Sequence, residues 1–314
     1  MKNTAFQSNK QHTLKKTVTC EGVGLHSGAP VLLTLKPAEP LTGIRFIRTD
    51  LETPLEFAAT ATLVGDTKLG TSLTHPSGKT LSTVEHLMAA FWGAGIDNAT
   101  VYVNGPEVPI MDGSSTPFLE LIAKAGVKKQ NADRRVYEIE APITLELDGS
   151  EIEILPYDGF AVEVAIDFDH DAIGQQALLV DFSETSFAGA MSNARTFGFL
   201  NEVEYLKTIG LARGGSLENA VVLDGDNVMN PEGLRSDDEF VQHKALDLVG
   251  DLFLCGGRIR GLVRAHKPGH TINTAMARKI IEHATSLETQ TTKPRYEAPA
   301  PTLPALDGTL PAFA

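Results

Sequence analysis

KKQNADRR, residues 128–135, divides the sequence: every residue in it except Ala132 is polar or charged, and it reads as a linker. Beyond it, VYEIEAPITLEL (136–147), EIEILP (151–156) and FAVEVAIDF (160–168) alternate apolar and polar residues, the period of a half-buried antiparallel sheet. Ahead of it, VLLTLKPA (31–38) and IRFIRTD (44–50) are short β-rich runs, followed by LSTVEHLMAAFWGAG (81–95). There Ser82 and Glu85 have the spacing of a capping box, Leu87, Ala90, Phe91 and Ala94 form a helical stripe, and Gly93 and Gly95 end it. ATVYVNG (99–105) reads as a strand, and TPFLELIAKAG (116–126) as a helix with Thr116 at the N-cap, Pro117 first and Gly126 after the end.

The other side of the divider repeats this order. From Glu202 the pattern turns irregular and glycine-rich through GLARGGSLENAVVLDGD (210–226). A long helix is expected from Asp237 to Leu254, with Ser236 and Glu239 as a second capping pair and Gly256-Gly257 as its stop. RIRGLVRAH (258–266) is a strand and NTAMARKIIEHA (273–284) a last helix. Strands then helices, twice, predict an α+β chain of two domains, 13–127 and 136–286, each a sheet covered by helices. No internal sequence repeat is visible. The ends, 1–12 and the Pro- and Ala-rich 290–314, lack periodicity and are expected to be mobile.

The 314 residues suffice for two cores, and 42% hydrophobic with 21% charged residues is ordinary globular composition. A net charge of −13 argues against a general nucleic-acid binder, though not against a small anionic ligand. Cys20 and Cys255 cannot build a disulfide framework, which fits a reducing compartment. The first 17 residues are polar and basic, and no run approaches the ~20 apolar residues of a membrane span. These features predict a cytoplasmic protein with no stable membrane insertion.

Chemistry is concentrated in HKALDLVGD (243–251), which places His243 and Asp247 one helical turn apart on one face. Such a pair can share a metal ion, and a catalytic zinc takes three protein ligands plus a water. His86 is the best candidate for the third, because Glu85 beside it can serve as a general base. Glu85 has a second reading as the cap partner of Ser82, and the strict H-E-x-x-H motif is absent.

Between Thr13 and Ala284 the chain carries GVGLHSG (22–28), STVEHLMAA (82–90), VPIMDGSS (108–115), LPYDGF (155–160), ARTFGF (194–199), GGSLENAVVLD (214–224), LRSDDEFVQHKALDLVGD (234–251) and HKPGH (266–270) in order. In that ordered set it resembles the UDP-3-O-acyl-N-acetylglucosamine deacetylases, zinc amidases of lipid A synthesis in Gram-negative bacteria. The resemblance implies two similar domains with the active site between them. It implies zinc on His86, His243 and Asp247, although His and Asp ligands suit Fe2+ as well. It makes Glu85 the base, His270 a second catalytic group, Asp251 the carboxylate that orients and charges His270, and Thr196 an oxyanion donor. Lys244 and Lys267 are expected near the nucleotide diphosphate. Leu25 and Phe197 are expected as apolar contacts, and 197–220 as the insert around an acyl passage. The implied substrate is an acylated UDP-N-acetylglucosamine, and the implied protein is a monomer. The matched catalytic positions show no substitution.

Overall fold

The computed structural model describes residues 8–289. Residues 1–7 and 290–314, which include most of the expected mobile ends, lie outside that range. The first half contains β1 (Lys10–Leu14), β2 (Val18–Val23), β3 (Pro30–Pro37), β4 (Ile44–Arg48), β5 (Leu55–Ala58), β6 (Leu73–Thr74), β7 (Thr80–Leu81), α1 (Glu85–Ala94), β8 (Ala99–Val103), α2 (Thr116–Ala125) and β9 (Val127–Asp133). The second contains β10 (Val136–Glu138), β11 (Ile143–Leu147), β12 (Ser150–Leu155), β13 (Phe160–Asp167), β14 (Gln175–Asp181) and α3 (Phe187–Ala190). It continues with β15 (Phe197–Phe199), α4 (Leu200–Thr208), β16 (Val221–Asp224), β17 (Asn227–Val228), α5 (Glu239–Phe253), β18 (Arg258–His266) and α6 (His270–Thr289).

Both main sheets follow one plan. Their strand orders are β2-β3-β8-β4-β5 and β11-β12-β18-β13-β14. In each, the last strand of the sheet in chain order, β8 or β18, inserts between two earlier pairs, antiparallel to β3 or β12 and parallel to β4 or β13. One helix precedes that strand and one follows it: α1 and α2 around β8, α5 and α6 around β18. The chain is thus two similar α+β halves, a duplication of topology that is not visible in the residues. The equivalent helices α1 and α5 pack on each other, with α2 beside α1 and α6 beside α5. The core runs through both halves: Trp92 of α1 packs on Phe160 of β13, Phe182 and Phe187.

Several local expectations change. The expected linker is mostly strand β9, which pairs with β1 through Thr13↔Lys128 and Leu14↔Val127. No residue of β9 is buried, unlike Gln11, Thr13 and Leu14 of β1, so β9 needs no apolar face and its residues read as a linker. Residues 10–12, assigned to a mobile end, form the start of β1. The second sheet is mixed rather than antiparallel, because β18 enters beside β13 in parallel. Burial along Phe160–Val164 is continuous there, since β13 lies between β14 and β18.

Neither capping box forms. Val84 occupies the N-cap of α1, and the Ser82 hydroxyl bonds Ser72 instead at 2.9 Å. Ser236 Oγ turns to Gln242, while Glu239 turns to Arg195. Ser115, not Thr116, holds the N-cap position of α2. The stretch after Glu202, expected to be irregular, opens with α4. Gly95 ends α1 as predicted, in the left-handed conformation at φ 75°, whereas Gly93, expected to share that role, lies inside the helix. Among the described residues, no helix is long and apolar enough to cross a membrane.

Candidate metal centre

The first turn of α1 carries Glu85 and His86, and the middle of α5 carries His243 and Asp247. Packing α1 on α5 buries all four. His86 Nε2 lies 3.5 Å from Asp247 Oδ1, and His243 Nε2 lies 3.4 Å from Asp247 Oδ2. The two imidazoles meet edge to face, with centroids 5.0 Å apart. One ligand atom from each of His86, His243 and Asp247 falls within 4.8 Å of the others. Asp247 Oδ1 and His86 Nδ1 are buried without a hydrogen-bond partner among the described residues. An uncompensated carboxylate oxygen in such a place is costly, and a cation between the three side chains would compensate it. The donor set therefore fits a metal ion.

Protonation follows the same logic. Burial pushes His243 down to about 4 despite the attraction of Asp247, toward the neutral form that a metal ligand needs. Its Nδ1–H donates to the Ala194 carbonyl at 3.1 Å, which leaves the Nε2 lone pair facing the cluster. Asp247 is held well below the usual carboxylate range: burial opposes its charge, but His243, His86 and His270 outweigh that. Burial also opposes the charged form of His86, and Asp247 and Glu85 overcome it, raising its pKa.

A second layer joins the halves behind the cluster. The Thr71 backbone N–H donates to Glu85 Oε2 at 2.9 Å, and the Thr71 hydroxyl donates to Asp251 Oδ1 at 2.5 Å. Asp251 Oδ2 accepts from His270 Nδ1 at 2.9 Å and from Asn273 Nδ2 at 3.0 Å. Burial would lower His270, but Asp251, then Asp247 and Glu85, override it and raise the ring to about 9. The Asp251 carboxylate thus favours the charged form of His270. Burial raises Glu85, partly offset by His270 and His86.

Glu85, the triad and His270 line a cavity of about 500 Å³. Its lining combines the polar groups Glu85, His86, His243, Asp247, His270 and Thr196 with apolar Leu25, Phe197, Val203, Leu206, Leu217 and Met229. The 197–220 segment contributes most of the apolar wall through β15 and α4. Lys244 lines the cavity and lies over the Phe197 ring at 5.5 Å. Lys267 does not line it; its ammonium pairs with Asp167 at 3.0 Å on the surface. Asp251 sits behind His270 rather than in the wall.

Thr71 and Asn273 escaped the sequence reading, because a threonine in LGTSLT and an asparagine in HTINTA carry no spacing signal. Thr71→Val removes the hydroxyl, keeps the backbone bond to Glu85, and leaves Asp251 one donor short. It is expected to cost about 1–3 kcal/mol, the typical penalty for an unpaired buried acceptor. Urea denaturation checks this, with Thr71→Ser restoring stability; an unchanged midpoint for Thr71→Val would show that the hydroxyl carries no weight.

Two matching α+β halves that close on a buried metal-competent triad, with an adjacent carboxylate and an apolar cavity, are the architecture of a metal-dependent hydrolase. A family model described as UDP-3-O-acyl N-acetylglycosamine deacetylase matches residues 11–282, and the chain belongs to that family. Curated relatives agree. The UDP-3-O-acyl-N-acetylglucosamine deacetylase of Histophilus somni is 46% identical over 292 residues, 92% of this chain and 96% of its own. The protein of that name from Photobacterium profundum is 47% identical over 274 residues, 87% and 90% of the two chains. That from Pasteurella multocida is 45% identical over 302 residues, 94% and 99%.

Proposed function

We propose that this chain hydrolyses the N-acetyl group of a UDP-3-O-acyl-N-acetylglucosamine, releasing acetate and the free amine for lipid A synthesis, with one zinc ion on His86, His243 and Asp247. The observation that carries this reading is the buried triad with its unpaired Asp247 oxygen, next to Glu85, whose carboxylate accepts from the Thr71 N–H and caps no helix. Zinc bound there supplies a Lewis acid that polarises an amide carbonyl and makes water nucleophilic near neutral pH. Fe2+ suits the same ligands.

Glu85 acts as the base. Thr71 holds its Oε2, and its carboxylate lines the cavity beside the triad. It accepts a proton as the water oxygen adds to the acetyl carbonyl, and its raised pKa makes it a better acceptor than a solvated carboxylate. His270, charged through Asp251, stabilises the negative charge developing at the carbonyl oxygen. The Thr196 hydroxyl, from a residue that lines the same cavity, donates to that oxygen. The C–N bond breaks with a proton delivered to nitrogen from Glu85 or His270. Lys244 stands at the cavity wall, where a diphosphate would find a cation, and Leu25 and Phe197 contact the acyl-bearing part of the substrate. Lys267 would reach a diphosphate only by leaving Asp167. We assign the halves to 13–127, extended back to Lys10 by β1, and 136–286, and place the enzyme in the cytoplasm as a monomer.

The test uses the purified full chain and UDP-3-O-acyl-N-acetylglucosamine. Metal analysis is expected to find zinc, acetate release to stop on dialysis against a chelator, and added zinc to restore it. Zinc-loaded protein that releases no acetate would overturn the reading.

A further inference from the structure

Arg195 is a fully buried arginine, and none of the roles above uses it. Its Nε donates to Glu239 Oε1 at 2.9 Å and one terminal nitrogen to Glu239 Oε2 at 3.1 Å. The Arg195 backbone N–H also donates to Glu239 Oε1, at 3.0 Å. The remaining guanidinium bonds go to Gly233 O at 2.8 Å and Glu232 Oε1 at 2.6 Å. Glu239, itself fully buried, accepts a further bond from the Arg235 backbone N–H at 2.6 Å.

The neighbours of this pair give it its significance. Ala194, on one side of Arg195, supplies the carbonyl that receives His243 Nδ1–H. Thr196, on the other side, lines the cavity. Glu239 lies on α5 one turn before His243, so the fork fixes the 194–196 segment to the same helix that carries His243 and Asp247. A buried ion pair is weak evidence for stability, because desolvation offsets its attraction. Its geometric effect is definite: two planar groups joined at two points leave little freedom in the distance between Ala194 O and the His243 ring.

We infer that Arg195 and Glu239 are positioning residues, setting the ring orientation of His243 through Ala194 and the place of the Thr196 hydroxyl. This rests on the metal reading proposed above. Outer partners of a ligating histidine commonly govern metal affinity about as strongly as they govern rate.

The experiment measures Zn2+ affinity of the full chain by competition with a chromophoric chelator, together with the visible absorption of the Co2+-substituted protein. Glu239→Gln places an amide nitrogen against donors. It is expected to weaken Zn2+ binding by about tenfold to a hundredfold and to alter the Co2+ bands. Arg195→Lys keeps the buried charge but loses the fork; it is expected to act in the same direction, and it serves if Glu239→Gln does not fold. Glu232→Gln removes only the half-exposed partner and is expected to leave affinity unchanged, as exposed ion pairs contribute little. Folded Arg195→Lys or Glu239→Gln protein with wild-type Zn2+ affinity and Co2+ spectrum would overturn the inference. His243→Ala separates the two ideas. If it loses Zn2+ while the positioning variants do not, only this inference fails. If His243→Ala also binds normally, the metal reading itself fails.

Discussion

Glu85→Gln is expected to lower kcat by roughly 10²–10⁴, the usual contribution of a positioned general acid–base, while the protein keeps its metal. The substitution preserves shape. The amide oxygen can still accept from the Thr71 N–H that now holds Oε2. What is lost is the ability to take a proton from water and return it. Because Glu85 is outside the triad, metal content should equal that of the wild type. Stability should hold or rise, since burial disfavours the ionised carboxyl and a neutral amide avoids that cost. Single-turnover acetate release, with zinc content measured on the same sample, checks all three. A fully active Glu85→Gln would return this residue to a structural role.

How far the site was legible depended on the distance over which its parts are joined. His243 and Asp247 lie four residues apart on one helix, so spacing alone put them together. His86 is a ligand candidate from the other half; Glu85 beside it makes it the best local choice, and the ordered family motifs join it to the other two. Glu85 had two local readings, and the structure removes one of them. Ser82 is drawn away by Ser72, and the carboxylate is taken by the backbone of Thr71. Thr71 itself bonds a residue 180 positions away, a contact no local pattern encodes. The fold shows the same division. Alternating strands and striped helices were readable because their periods are local. The duplication is legible only as an order of elements repeated across the divider and through the family resemblance, because the halves share strand order rather than residues. Strand β9 reads as a linker for a physical reason as well: with no buried residue of its own, it has no apolar face to write into its sequence.

The helix crossing that makes the site yields the second large effect. Gly250 lies inside α5 where it faces the start of α1, and a Cβ built there would sit 2.2 Å from the Glu85 carbonyl oxygen, 3.0 Å from its carbon and 3.1 Å from the Ala89 nitrogen. All three are backbone atoms, so no side chain can turn aside. At an exposed helical position alanine would gain about 1 kcal/mol over glycine. Here the helices must part to admit it, and overpacking of this kind costs about 1–3 kcal/mol. Gly250→Ala is therefore expected to be net destabilising, opposite in sign to the propensity effect. Glu85 and His86 ride on α1, while His243 and Asp247 ride on α5. Parting the helices thus stretches the triad along the line that joins its two halves, and Zn2+ affinity should fall together with stability. Melting curves of the metal-free protein and chelator competition measure the two effects separately. A Gly250→Ala protein that melts higher and binds Zn2+ normally would mean that α1 and α5 do not touch there, and that the triad is set by something other than their contact.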